Sequence, residues 1–144
     1  MAISSRVSVA VHILSLLNLE KEGRMTSEFI AGSVNTDPVV ISRIISMLSR
    51  AKLVATSPDV AGARLARPLE DITLLDVYRA VQVDISDELF SIHGNPNPEC
   101  TVGRNIQSTL ETSFTRAQNA MEKELSSITM EYIVNDLIRR ETAN

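Results

Sequence analysis

Few side chains in this 144-residue chain are of the kinds that do covalent or metal chemistry. The single cysteine, Cys100, lies in HGNPNPECTVGRN, residues 93–105, and the histidines are His12 and His93. A thiolate can serve as a metal ligand, a nucleophile or a redox sensor. A structural zinc site usually draws four Cys or His ligands, so no metal site is expected from three such residues. Cys100 and His93 could form a nucleophile–base pair, yet no third group is recognisable to orient the base. The chain has no phosphate-cradling glycine loop, no zinc-protease motif and no serine-nucleophile motif. No catalytic residue is expected, and a thiol enzyme using Cys100 is the remote alternative. A lone cysteine also forbids an internal disulfide and fits a reducing compartment.

The other chemistry is electrostatic. Between Pro38 and Pro68 lie Arg43, Arg50, Lys52, Arg64 and Arg67 against Asp59 alone, a net of +4 in a chain whose total is −4. The remainder therefore carries −8. A basic stretch on an acidic body predicts a local anionic partner rather than general stickiness. Aromatic residues make up 3%, too few for base stacking along a single strand. The anion that fits is duplex DNA.

Those cations need elements to place them. Hydrophobic residues at 44% and charged residues at 22% describe a folded protein of one domain. No apolar run approaches the ~20 residues needed to cross a bilayer. The N-terminus has an apolar run but neither a preceding basic stretch nor a small-residue cleavage site, so it reads as an amphipathic helix of a cytoplasmic protein. Ile3, Val7, Ala10, Leu14 and Leu17 form its apolar face, Ser4 or Ser5 its cap, and His12 lies off that face as an exposed histidine. TSEFIAGSV is a second helix capped by Thr26 or Ser27, with Phe29, Ile30 and Val34 as its apolar face.

After the turn NTD, Asp37 caps a third helix that begins at Pro38. Ile41, Ile44, Ile45 and Leu48 face its core. Val39, Val40, Ser42, Arg43 and Ser46 are left toward its open N-terminal side. Two short helices around a tight turn are a helix-turn-helix. LVATS, the turn PDVAG and ARLAR then read as a strand pair, a wing, carrying Arg64 and ended by Pro68. The DNA-binding set predicted from this pattern is Ser27, Pro38, Val39, Val40, Ser42, Arg43, Ser46 and Arg64. Arg67 is placed nearer the body as a surface salt bridge.

ITLLDVYRAVQ continues as a helix with Thr73 as cap and Asp76 in the capping-box position, and residues 83–98 are loop. A helix of ~25 residues follows, about twice the usual length. Ile106, Leu110, Phe114, Ala117, Met121, Leu125 and Ile128 recur along it at three- and four-residue steps. The residues from Ile106 through Leu125 are expected to form a homodimer interface. A last helix, MEYIVNDLIRR, is capped by Thr129. Cys100 falls just before the long helix, where exposed N–H groups and the helix dipole favour a thiolate. It is the candidate redox sensor, with an oxidant or a small-molecule thiol as its partner.

The fold class expected is mainly α with a small β-hairpin wing, a winged helix-turn-helix plus a long C-terminal dimerisation helix. Residues 1–82 would form the DNA-binding region and residues 83–144 the sensor loop and dimerisation helices, all in one compact domain. SVNTDPVVISRIISMLSRAKLV, AGARLARPLEDITLLDVYRAVQ and NPNPECTVGRNIQSTLETSFTRAQNAMEKELSSIT resemble the Rrf-two family of bacterial winged-helix transcription regulators, and within it the YwnA-like branch. The resemblance spans nearly the whole chain. It implies a homodimer joined through the long helix and bound to a palindromic operator, with repression as the expected outcome.

Three positions depart from the family pattern. Iron–sulfur members carry three clustered cysteines before the long helix, and this chain has Cys100 alone, so no cofactor is expected. A double arginine early in the recognition helix is here Ser42-Arg43. The Ala-Gly-Leu turn before the wing is here Ala51-Lys52-Leu53, which puts lysine where glycine would take a left-handed conformation at no steric cost. A winged-helix protein-interaction module without DNA binding is the alternative reading, favoured by the acidic total charge and by Ser42.

Overall fold

The computed structural model describes residues 5–19, 25–82 and 90–143, with Val60 described by its main chain only. Six helices and one two-stranded antiparallel sheet follow in the order α1 (Arg6–Leu19), α2 (Ser27–Val34), α3 (Pro38–Arg50), β1 (Val54–Ser57), β2 (Val60–Leu65), α4 (Leu74–Ala80), α5 (Thr101–Ser126) and α6 (Met130–Ala143). A 3-10 turn, Leu69–Asp71, precedes α4. This is the expected mainly helical fold with a β-hairpin wing. No helix among the described residues is long and apolar enough to cross a membrane.

The core lies where the first four helices meet the start of α6. Ile13 and Leu14 of α1, Ile30 of α2, Ile41, Ile44 and Leu48 of α3, Val77 of α4 and Met130 of α6 are all buried in it. The last helix reaches this core through a short β-bridge between Thr73 and Thr129. There Leu74 N–H donates to Ile128 O at 2.8 Å and Met130 N–H donates to Ile72 O at 2.8 Å. Ile128 therefore lies beyond the end of α5 and in the connection, not on the long helix's stripe as its spacing suggested. At the other end, the Arg6 guanidinium donates to Val81 O at 3.0 Å and ties α1 to the end of α4.

Helix ends follow local chemistry. Thr26 Oγ1 accepts from Phe29 N–H, Asp37 caps α3 with Pro38 in its first turn, and Thr129 Oγ1 accepts from Tyr132 N–H. Thr73 and Asp76 exchange hydrogen bonds in a full capping box. Asn35 ends α2 in the left-handed conformation, with φ 64°. Of the expected face of α1, Ala10, Leu14 and Leu17 are buried and Val7 is half-buried, while Ile3 and Ser4 lie outside the described residues.

At the end of α3, Lys52 takes the left-handed conformation with φ 63°. Its N–H donates to Ser49 O at 3.0 Å, and Leu53 N–H donates to Leu48 O at 2.9 Å. This is the paired closure that usually employs glycine. A side chain in that conformation carries a steric cost of about 1 kcal/mol, partly offset because glycine loses more entropy on folding. Lys52→Gly should therefore raise unfolding stability by about 0.5 kcal/mol. Urea denaturation with an unchanged m-value checks this, and a less stable variant would show that the lysine is not strained.

Two expectations about packing need correction. His12 is half-buried rather than exposed, and its Nε2 lies 3.0 Å from Ser33 Oγ on α2. Phe29 is 61% exposed, so α2 turns inward Ile30, as expected, with Ala31 in place of Phe29. A short helix with apolar residues at adjacent positions has two possible inner faces, and α1 and α3 together select one.

Candidate nucleic-acid interface

The outer face of α3 is built by what the inner face buries. Ile41, Ile44, Ile45 and Leu48 are at most 7% exposed, and the helical period then turns Val39, Ser42, Arg43 and Ser46 to solvent. Pro38 and Val40 are exposed at the N-terminal end. Asp37 fixes this end, because its Oδ1 accepts from Val39 N–H at 2.7 Å. Ser27, half-buried at the start of α2, accepts a hydrogen bond from Ser42 Oγ at 2.9 Å. That link sets the crossing of the two helices of the helix-turn-helix and engages Ser42 before any ligand arrives.

The wing stands beside this face. Val54 pairs with Leu65, Ala55 with Arg64, and Thr56 with Ala63, after which an irregularity brings Ser57 opposite Val60. Gly62, with φ 94°, supplies the conformation this bulge needs. The returning strand thus starts at Val60, three residues before the expected ARLAR run, and ends at Leu65 rather than at Pro68. Met25 pairs with Ala63 from the other side and anchors the wing to the chain entering α2. Ala63 is buried and Arg64 exposed, as alternation on a strand requires.

An open cleft of about 480 Å³ separates the start of α2 from the wing, with Ser27, Glu28, Ser42, Thr56, Ser57 and Asp59 among its lining residues. Glu28 and Asp59 make the cleft itself unfavourable for a phosphate, whereas Arg43 on the helix and Arg64 on the wing are exposed cations. Arg67 is occupied: its guanidinium donates to the carbonyls of Lys52 at 3.4 Å and Asp71 at 3.3 Å. Its partners are main-chain carbonyls, not the carboxylate of a surface salt bridge.

The long helix has a different character. None of the 26 residues of α5 is buried. Ile106, Leu110, Phe114, Ala117, Met121 and Leu125 share one stripe, and all are half-buried. Part of this cover is internal: Phe114 stacks on Phe90 with ring centroids 4.7 Å apart. Along the side facing α4, Gln118 Nε2 and Arg79 Nη2 donate to the Glu122 carboxylate at 2.9 and 2.8 Å. Those two bonds hold the Glu122 carboxyl below its ordinary pKa.

Cys100 is exposed and is the N-cap residue of α5. Its sulfur makes no full capping hydrogen bond, but the N–H groups of Gly103 and Val102 face it and hold the thiol below its ordinary pKa. The approach loop is folded onto the helix. Cys100 N–H donates to Asn97 O at 3.2 Å, Glu99 N–H donates to Asn97 Oδ1 at 2.9 Å, and the Arg104 guanidinium donates to Pro98 O at 3.4 Å. Gly103 permits this fold, since a Cβ there would run into the Asn97 carbonyl. His93 is exposed in the same loop. Residues 83–89, the first part of the loop expected over 83–98, lie outside the described residues.

Sequence reasoning missed the Ser27–Ser42 bond, the Met25–Ala63 pairing and an apolar groove between α1 and α6. Val11, Leu16, Leu19, Ile133, Leu137 and Ile138 line that groove. None of the three is marked by a local motif; each depends on elements distant in the chain.

Residues 3–136 match the family Rrf2, described as an iron-dependent transcriptional regulator. YwnA of Bacillus subtilis (strain 168), assigned as an HTH-type transcriptional regulator, is 47% identical over 135 residues, covering 94% of this chain and 98% of YwnA. A crystal structure of a protein assigned to DNA binding has a TM-score of 0.74 at 43% identity, covering 90% of this chain and 98% of that one. A Lactobacillus plantarum protein assigned as a transcriptional regulator has a TM-score of 0.78 at 26% identity, covering 96% and 97% of the two chains. The assignments of these similar proteins are to transcriptional regulation and DNA binding.

The family's iron meets a poor donor set here. Iron–sulfur clusters are held chiefly by cysteine thiolates, and one Cys100 per chain cannot supply them. Among the described residues no three His, Cys, Asp or Glu side chains converge as ligands. The winged helix-turn-helix, its exposed basic face and its match over residues 3–136 lead to one assignment: this chain belongs to the Rrf2 family of transcriptional regulators.

Proposed function

We propose that the chain is a homodimeric repressor that binds a palindromic operator through α3 and the wing. In this reading residues 1–82 contact DNA and residues 83–144 join and regulate the subunits. The observation that carries it is the outer face of α3, where Val39, Arg43 and Ser46 are exposed beside Arg64 of the wing. The N-terminal end of such a helix reaches base edges in the major groove, while a wing cation and helix N-termini hold phosphates. Two α3 helices must then sit about 34 Å apart to meet successive half-sites, a spacing that α5 would set as the joint. Selection of duplexes from a random library by the full-length protein tests the reading: a palindrome should emerge. A protein that selects no duplex is instead a winged-helix interaction module.

Cys100 is the proposed input. Cys100 is an exposed thiol whose lowered pKa raises its thiolate fraction above that of a free cysteine at the same pH, and its loop is clamped to the first turn of the helix that would join the subunits. In the reaction with hydrogen peroxide the thiolate sulfur attacks one oxygen, the O–O bond breaks, and the products are sulfenic acid and hydroxide. A small-molecule thiol can then condense with the sulfenic acid, forming a mixed disulfide and releasing water. The rate of alkylation by iodoacetamide should show a midpoint below the free-thiol value of about 8.5. Mild peroxide should abolish operator binding by the natural protein and spare Cys100→Ser. Equal loss in the serine variant would remove Cys100 from the mechanism.

A further inference from the structure

We infer that Val39 and Val40 read the 5-methyl groups of thymine, so that each half-site places thymine within about two base pairs of the one met by Arg43. This rests on the DNA-binding reading above and adds the chemistry by which α3 selects bases. Val39 is 63% exposed and Val40 36%, on a helix whose isoleucines and Leu48 are buried. In the free protein Val39 gains little from burial and Val40 still leaves 36% of its surface in water, and valine is a weaker helix former than alanine or leucine. They are also held in place. Asp37 Oδ1 accepts from Val39 N–H at 2.7 Å, Pro38 fixes the first turn, and a β-branched side chain in a helix has one strongly preferred rotamer.

Their neighbours narrow the ligand. Arg43 stands one turn from both valines and is exposed, so the apolar pair and a guanidinium lie on one side of the helix. Ser42, between them, already donates to Ser27. In the major groove only thymine offers a methyl group, and guanine O6 and N7 are the paired acceptors that suit arginine. Four residues rise about 6 Å along a helix, close to two base-pair steps of about 3.4 Å. The thymine and guanine contacts should therefore fall within about two base pairs of each other.

The test uses the tightest duplex selected by the full-length protein, with each thymine replaced in turn by deoxyuridine. That change removes one methyl group and keeps every Watson–Crick hydrogen bond. Fluorescence anisotropy should show binding weakened about three- to fivefold at one or more positions in each half-site, the effect of one buried methyl. In the double variant Val39→Ala with Val40→Ala, whose folding is checked by thermal melting, the thymine and deoxyuridine duplexes should bind alike. If the natural protein binds both duplexes equally, or if the double variant keeps the full difference, the inference is overturned while DNA binding stands. If no duplex is selected at all, the DNA-binding reading falls and takes this inference with it.

Discussion

Met121→Glu should give a folded monomer. Met121 is half-buried on a helix of 26 residues, none of which its own chain buries completely. The stripe that includes it runs from Ile106 to Leu125, along much of a helix that on its own leaves this apolar surface partly in water. A second copy packed on the stripe would bury Met121 twice by symmetry. Met121 is already half-buried in its own chain, so losing the remaining burial of two methionines costs about 1.5–3 kcal/mol, and a carboxylate left in the seam adds desolvation. The dimer dissociation constant should rise at least a hundredfold, the equivalent of about 2.7 kcal/mol. Because no core residue changes, the melting transition should persist with helical content intact. Sedimentation that shows an unchanged dimer places the subunit interface elsewhere.

Arg43→Ala should weaken operator binding without unfolding the protein. Arg43 is exposed, and the ion pairs among the described residues lie elsewhere, at Arg79–Glu122 and around Asp136 with Arg139 and Arg140. A bidentate arginine contact to guanine contributes about 1–3 kcal/mol of discrimination, and a dimer would lose it in both half-sites. Affinity for the selected duplex should fall by at least about tenfold, with the preference at one base pair per half-site relaxed. Arg64→Ala should weaken all sequences more evenly, as expected of a phosphate contact. A natural affinity in Arg43→Ala would mean that α3 is not the reading helix.

The parts of the fold legible in the sequence were those set by neighbours in the chain. Thr73 with Asp76, Asp37 before Pro38, and Thr129 before the last helix each cap a helix from a few residues away, and all three act as caps in the structure. The inner face of α3 was equally plain, since four large aliphatic residues follow the helical period. What stayed hidden depends on distant elements. His12 meets Ser33 across 21 positions, and Ser42 meets Ser27 across 15. The exposure of Phe29 is decided by where α1 and α3 press on α2. The early start of β2 depends on a bulge near Gly62, which alternation alone does not reveal. At the site, Arg43 and Arg64 were visible as an uneven charge distribution, while the role of Arg67 emerged only once Lys52 and Asp71 were seen to offer it their carbonyls.

Every functional step above depends on α3 and the wing binding duplex DNA. The most direct measurement is the affinity of the full-length protein for its selected duplex between about 50 and 200 mM salt. Phosphate contacts release counterions, with a slope of about −0.9 per phosphate neutralised. Affinity should fall linearly with salt on logarithmic axes, and Arg64→Ala should reduce the slope by about one for each wing engaged. Weak binding that is the same for every sequence, and unchanged in both the Arg43→Ala and Arg64→Ala variants, would contradict DNA reading by α3 and the wing.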